Sequence, residues 1–414
     1  MSAPTRLHES PIDDGSGLTF VDADGHVLEP ASAMVDFAPP GFEDRVWRIE
    51  ADESGAEILH MDDMEPMDTA VMALAGTAGV DEERRRKMHS GEFRYSDLPD
   101  HCWDAEARLA VLDADGISHS VLHATMLLGF QSLRTHEFVA AQSRTFNDWL
   151  SDLCARGRGR LHGVANLPQR DPEAAAAEIR RVADLPGIVG VQLRPNPAAD
   201  GYHFNHPMYD PIWRACSETG LPLGFHPLLA ADLPGAIRGM RLNRLGTSEI
   251  PVQDQEDFGS DNIYFAQALG NPADMMNTVM FLTAGGVLQR FPDLRCVFLE
   301  SNGGWIVPLL ERLDHHARIY EWDVPWLGGA MPSEFFRRQC WISFDADEST
   351  LCFTANSDMV GADRIVWASD FPHPDAKYPG TTAELAENLA PLSVVDQRRV
   401  AGLNAAELYG IDLG

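Results

Sequence analysis

The sequence predicts an α/β fold, a (β/α)8 TIM barrel with long insertions after strand 1 and strand 5, and three observations lead there. From Leu18 onward, short apolar runs alternate with longer segments of helical period, the pattern of a parallel sheet built from βα units. The runs number eight, the count that closes a barrel. The 414 residues, 44 % of them hydrophobic, suffice for one large core with insertions. Residues 1–17 read as a polar tail and 18–414 as a single barrel domain with inserts at 36–104 and 228–271.

Taken in order, the eight runs are Leu18–Val21, Ile117–His123, Leu161–Leu167, Ile188–Leu193, Leu221–Phe225, Cys296–Leu299, Trp341–Phe344 and Ile365–Ala368. Between them, Phe146/Trp149/Leu150/Leu153 and Ile306/Leu309/Leu310/Leu313 follow the i, i+3, i+4, i+7 spacing of an amphipathic helix. Glu173–Ala183 reads as another helix, with Asp171-Pro172 supplying a cap and a first-turn proline. Inside the first insert, Val46–Ile49 and Glu57–His60 flank Glu53-Ser54-Gly55 and read as a hairpin. Inserts of this length on the catalytic face act as lids or oligomer contacts, so a homodimer is expected.

A formal charge of −31 argues against nucleic acid and against an anionic membrane surface as partners, because both need clustered positive charge. No apolar run reaches the roughly 18 to 20 residues of a transmembrane helix, and the N-terminus lacks a hydrophobic signal core; a cytoplasmic location is expected. The six cysteines form no C-x-x-C pair and read as buried, reduced thiols.

Barrel active sites lie at the C-terminal ends of the strands, so the residues that end each run matter most. The first run leads into Val21-Asp22-Ala23-Asp24-Gly25-His26, where Asp24 and His26, two apart in an extended strand, share a face. His226 follows the fifth run, Glu300 ends the sixth and Asp370 follows the eighth. Each alone also reads as a capped turn or a structural hydrogen bonder. Four strand ends supplying Asp/His, His, Glu and Asp to one point make a common metal centre the better reading of Asp24, His26, His226, Glu300 and Asp370.

In these motifs the chain resembles the amidohydrolase superfamily, in the branch of metal-dependent hydrolases typified by aminocarboxymuconate-semialdehyde decarboxylase. The resemblance rests on Asp22-Ala23-Asp24-Gly25-His26-Val27-Leu28-Glu29-Pro30, Gly163-Val164-Ala165-Asn166-Leu167-Pro168, Gly190-Val191-Gln192-Leu193-Arg194-Pro195, Phe225-His226-Pro227 and Ser369-Asp370-Phe371-Pro372-His373. It implies a barrel whose metal is held by Asp24, His26, His226 and Asp370, with Asp370 also in the position of a catalytic aspartate. Two departures stand out. The first-strand pair, H-x-H in most relatives, begins here with Asp24, and Glu300-Ser301 stands where the sixth strand usually ends in a catalytic histidine.

The carboxylate-rich set moves the expected divalent metal toward Fe or Mn as well as Zn. One ion is expected, or two if Glu300 bridges; alternatively Glu300 is an acceptor that fixes a ligand histidine. Arg194 ends the fourth run and is read as holding a substrate carboxylate, or as a structural ion pair. His373 is read as substrate-binding, with second-layer support or a turn as alternatives, and His315-His316 as surface. The basic clusters Arg84-Arg85-Arg86-Lys87 and Arg238/Arg241/Arg244 could hold a phosphate-bearing arm such as coenzyme A, although local ion pairing explains them as well.

The function these readings favour is hydrolysis. A metal-activated water would cleave an ester, thioester (such as an acyl-CoA) or amide of a bulky apolar acid flanked by Trp305, Phe371 and Trp326, with Asp370, Glu300 and His226 catalytic. The alternative is metal-dependent, non-oxidative decarboxylation of an aromatic or unsaturated acid, which the missing sixth-strand histidine counts against. In either case the partner is a small molecule.

Overall fold

The computed structural model describes residues 17–129, 135–199, 201–228, 233–235, 264 and 266–414. Eight strands form one parallel sheet: β1 (Phe20–His26), β5 (Ile117–His123), β6 (Leu161–Asn166), β7 (Ile188–Leu193), β8 (Leu223–Phe225), β9 (Cys296–Phe298), β10 (Cys340–Asp345) and β11 (Ile365–Ala368). Between β1 and β5 lies a separate antiparallel sheet of β2 (Arg48–Ala51), β3 (Glu57–His60) and β4 (Met67–Asp68). The main sheet runs β1-β5-β6-β7-β8-β9-β10-β11. It closes where the chain leaves β11: His26 N donates to Phe371 O at 2.8 Å and Asp370 N to Asp24 O at 2.9 Å. This is the TIM barrel expected from the alternating runs.

Strand alternation sorts the core. Ile117, Leu161, Ile188 and Phe298 join the large apolar layer under the helices, while Val121, Val164, Val297 and Val366 form a second buried cluster with Leu408, Tyr409 and Ile411 from the C-terminal end of the chain. The helices follow their sequence signals. Thr135 caps the helix His136–Arg156, which buries Phe146, Trp149, Leu150 and Leu153. Asp171 caps Pro172–Val182 by accepting from Ala174 N at 3.1 Å.

Two sequence expectations change. The first strand runs on to His26 instead of stopping at Val21, because Asp22 and Asp24 interrupt the apolar pattern without interrupting the strand. The hairpin is three-stranded, with Met67–Asp68 added on the edge of β3. Among the basic clusters, Arg84 pairs with Asp81 and Lys87 with Asp97, both at 2.5 Å, so that helix neutralises itself locally. Arg238, Arg241 and Arg244 lie outside the described residues, as does most of 228–271. Among the described residues no helix is long and apolar enough to cross a membrane.

Asp22 is what fastens the closure. Its carboxylate accepts from Ser369 N (2.9 Å) and Ser369 Oγ (2.8 Å) beyond β11, from Ser120 Oγ (2.8 Å) on β5, and from Asp24 N (3.2 Å) on its own strand. The chain passes so close that a Cβ on Gly25 would sit 2.6 Å from Ser120 Oγ and 2.8 Å from Asp22 Oδ2. Asp22→Ala would strand several buried donors, and we expect it to cost about 3 kcal/mol or more. Urea denaturation of the two proteins measures this; an unchanged midpoint would remove Asp22 from the closure.

Candidate metal centre

The closed barrel brings the ends of β1, β5, β8, β9 and β11 to one point. Asp24 and His26 come from β1, and both are fully buried. His226 follows β8, Glu300 lies two residues past β9, and Asp370 two past β11. The Nε2 atoms of His26 and His226 stand 3.1 Å apart. Asp24 Oδ1 lies 3.5 Å from each of them, Asp370 Oδ1 3.3 Å from His26 Nε2, and Glu300 Oε2 3.1 Å from His226 Nε2. The donor atoms fall into two groups that share His26: Asp24/His26/His226, and His26/Glu300/Asp370/His373.

Hydrogen bonding settles which ring nitrogens face inward. His26 Nδ1 is 3.0 Å from Ala124 O and His226 Nδ1 is 2.9 Å from Pro227 O. A carbonyl only accepts, so in the neutral rings both Nδ1 atoms carry the proton and both Nε2 atoms present bare lone pairs to each other. Both oxygens of Asp24, and Oδ1 of Asp370, are buried without a hydrogen-bond partner among the described residues. Lone pairs and buried carboxylate oxygens aimed at one another are unfavourable unless a positive charge lies among them. This donor set fits a divalent cation, with imidazole nitrogen and carboxylate oxygen as ligands.

The electrostatics express the same need. Burial alone would raise the Asp24 carboxyl, but His226 and His123 overcome it and hold the group well below the usual carboxylate range. Burial opposes charge on His226 as well, yet Asp24 and Glu300 lift it to about 9. Burial pushes Glu300 up to about 8 against the pull of His226, and burial with the nearby Asp375 and Asp24 raises Asp370 far above its ordinary value. Lacking a cation, the centre gathers protons; a metal ion would displace them.

Local structure holds these side chains at some cost. Glu300 and Asp370 have φ of 43° and 54°, a left-handed backbone that non-glycine residues occupy at about 1–3 kcal/mol each. Arg108, fully buried on the helix Ala105–Asp115, donates to the carbonyls of His26, Phe371 (3.2 Å) and His101 (2.8 Å), and so ties the end of β1 to the turn after Asp370.

The structure brings Asp24, His26, His226, Glu300 and Asp370 together. It also brings in His373, whose Nδ1 lies 2.7 Å from Asp370 Oδ1 and whose ring covers His26 at 4.0 Å, so this residue stands within the cluster instead of at a substrate rim. Arg194 is buried at the end of β7 beside Asn196, and Trp305 donates to Ser301 O at 3.0 Å. Neither is among the described residues lining the adjoining cavity of about 400 Å³, which include Asp24, Glu300, Asn302, Asp345, Asp370 and Lys377. His123, with Nε2 3.7 Å from Asp24 Oδ1, carried the same sequence signal as His226, since it ends an apolar run. So did Asp345 at the end of β10, whose carboxyl burial and neighbouring acids raise to about 7.

Comparison with known proteins fits this geometry. The chain belongs to the Amidohydrolase family, which matches residues 21–411. It is similar to a 2-amino-3-carboxymuconate-6-semialdehyde decarboxylase of Dictyostelium discoideum, 23 % identical over 80 % of this chain and 82 % of that protein. It is also similar to a gamma-resorcylate decarboxylase of Rhodococcus jostii, 23 % identical over 74 % of this chain and 88 % of the relative. Among solved structures, an amidohydrolase from Mycobacterium avium subsp. paratuberculosis superposes with a TM-score of 0.71 (20 % identity, 96 % and 100 % of the two chains). A 5-carboxyvanillate decarboxylase from Novosphingobium aromaticivorans, complexed with manganese, superposes with a TM-score of 0.62 (18 % identity, 97 % and 98 %).

These findings overturn the hydrolytic reading. The curated relatives are decarboxylases, and cleavage of an ester, thioester or amide of a bulky apolar acid has no support beside them. Two physical points explain the error. The sequence lacks a histidine after β9, which counts against decarboxylation, yet His373 supplies an imidazole to the same cluster from the β11 end. The cavity is walled by Asp345, Asp347, Asp375, Asn302 and Lys377, and Trp305, Phe371 and Trp326 are not among its described lining residues.

If Asp24, His26 and His226 hold the ion, His226→Ala will lose bound metal and keep a native circular dichroism spectrum, whereas Arg194→Ala will keep its metal. Elemental analysis of the purified proteins reads both, and full metal content in His226→Ala would remove that residue from the site.

Proposed function

We propose that this chain is a metal-dependent, non-oxidative decarboxylase acting on an aromatic or unsaturated carboxylic acid. One observation carries the reading: two imidazole lone pairs 3.1 Å apart and the unpartnered oxygens of Asp24 and Asp370, at the foot of a polar cavity, in a chain whose curated relatives decarboxylate such acids. Asp24, His26 and His226 would hold the ion, with Asp370 beside it. The carboxylates of Asp24, Asp370 and Glu300 around the ion favour manganese or iron over zinc, and manganese is present in the 5-carboxyvanillate decarboxylase complex.

When bound, the divalent cation supplies a fixed positive charge and Lewis-acid polarisation for the acid's oxygens. The residues of the chain do the rest. The strand ends fix the carboxylate-bearing carbon over Asp370, which lines the cavity. The bond from that carbon to the carboxylate breaks and carbon dioxide leaves. The electron pair remaining on the carbon takes a proton from the Asp370 carboxyl. Asp24, which lines the cavity, and His26 beside it are both buried, which limits water to the cavity side.

A panel of hydroxylated, aminated and unsaturated acids, incubated with the manganese-loaded enzyme in deuterated water, tests this. Carbon dioxide release with one deuterium on the product carbon is expected. Asp370→Asn should lower the rate by about a hundredfold or more, the usual scale for removing a proton-transfer group. No carbon dioxide from any acid in the panel would overturn the proposal.

A further inference from the structure

Asp345 ends β10 on the wall of the cavity and belongs to neither group of metal donors. Its Oδ2 accepts from Asn302 Nδ2 at 2.9 Å, and Asn302 lines the same wall. Asn302 is the one hydrogen-bond donor to this carboxylate among the described residues, so Oδ1 is left for whatever enters the cavity. The pair is firmly held. Glu348, three residues on from Asp345, accepts from the backbone N–H of Gly303 (3.0 Å) and Gly304 (2.8 Å), which locks the loop after β9 to the loop after β10. The packing there leaves no slack: a Cβ on Gly303 would lie 2.1 Å from Phe344 Cε2. Lys377 lines the same wall, but its Nζ is 2.6 Å from Asp347 Oδ2 and its charge is already engaged.

From this arrangement we infer that Asp345 is a specificity-determining residue. It selects acids whose far side carries a hydrogen-bond donor, a hydroxyl or an amino group, over acids carrying a methoxy group or a second carboxylate there. A hydroxyl or amino proton gives the half-buried Oδ1 a charge-assisted hydrogen bond in place of water. A methoxy group has no such proton, so Oδ1 would lose its water and gain nothing. A second carboxylate would stand against Asp345, with Asp347 and Asp375 on the same wall adding to the repulsion. Asn302 serves as the positioning residue, because its amide fixes which carboxylate oxygen is engaged and which is left. The inference deepens the decarboxylase reading and rests on it for placing the reacting carboxylate at the metal, which turns the far side of the acid toward the cavity wall.

The test measures binding by calorimetry to the manganese-loaded, full-length protein. The probes are benzoic acids with a single meta or para hydroxyl, amino, methoxy or carboxylate group. The solution is held at about pH 8, above the value of about 7 to which burial and neighbouring acids raise Asp345. The hydroxyl and amino acids should bind about tenfold or more tighter than the matched methoxy acid and dicarboxylate. Asp345→Ala should bring the four within about twofold of one another, and Asp345→Asn, which keeps the shape and drops the charge, should tighten the dicarboxylate about fivefold or more. Both variants should keep the wild-type manganese content. A merely structural role would weaken all four acids together and leave their order intact, and that result in either variant would overturn the inference. Equal affinity for hydroxyl and methoxy acids in the wild type, or no binding of any of the four, would overturn it as well. Carbon dioxide is scored on the same acids: none released with the affinity order present would sink the decarboxylase reading alone, whereas release without that order would sink only the inference.

Discussion

Two histidine rings, each pinned by a backbone carbonyl at Nδ1, turn their Nε2 atoms toward each other across 3.1 Å with buried carboxylates around them. Nothing in an apolar core relieves that arrangement; a positive charge among the donors, gathered protons or a metal ion that displaces them, makes it favourable. Much of the surrounding structure serves to hold it. The left-handed backbone at Glu300 and Asp370 turns those carboxylates inward at the ends of β9 and β11, and the buried Arg108 spends its guanidinium on carbonyls of the chain instead of on an acid. Strain and burial of this kind persist where the surrounding fold over-determines them, as functional sites commonly require.

Barrel closure and site assembly are consequently one event. Asp22 binds Ser369 and Ser120, and Asp370 N binds Asp24 O, so the contacts that join the first strand to the last also set Asp24, His26 and Asp370 at their mutual distances. A loosened closure would therefore weaken the centre before it unfolded the protein. The loop after β5 is fastened as well, its Thr125, Met126 and Leu127 backbone N–H groups donating to the buried Glu29 carboxylate.

Much of the barrel was legible in the sequence because its signal is local: Ile117–His123, Ile188–Leu193 and Ile365–Ala368 are strands with the bounds their apolar runs suggest. The convergence of Asp24, His26, His226, Glu300 and Asp370 was legible as well, because barrel geometry says that ionisable groups after apolar runs share one face. What stayed hidden depends on long-range contact. Asp22 and Asp24 break the apolar pattern of β1 while continuing the strand, His373 reaches the cluster only through the turn after β11, and Thr125 is hydrogen-bonded to residues 98 and 248 positions away. The choice between hydrolysis and decarboxylation was not written in residue spacing at all, since both reactions use the same donors.

The central claim is that the facing imidazoles are metal ligands. X-ray absorption at the manganese edge of the loaded enzyme tests it most directly. The account predicts a first shell with two imidazole nitrogens and carboxylate oxygen at about 2.0 to 2.3 Å, with outer-shell scattering from the imidazole rings. A shell of oxygen alone, without imidazole scattering, would contradict it.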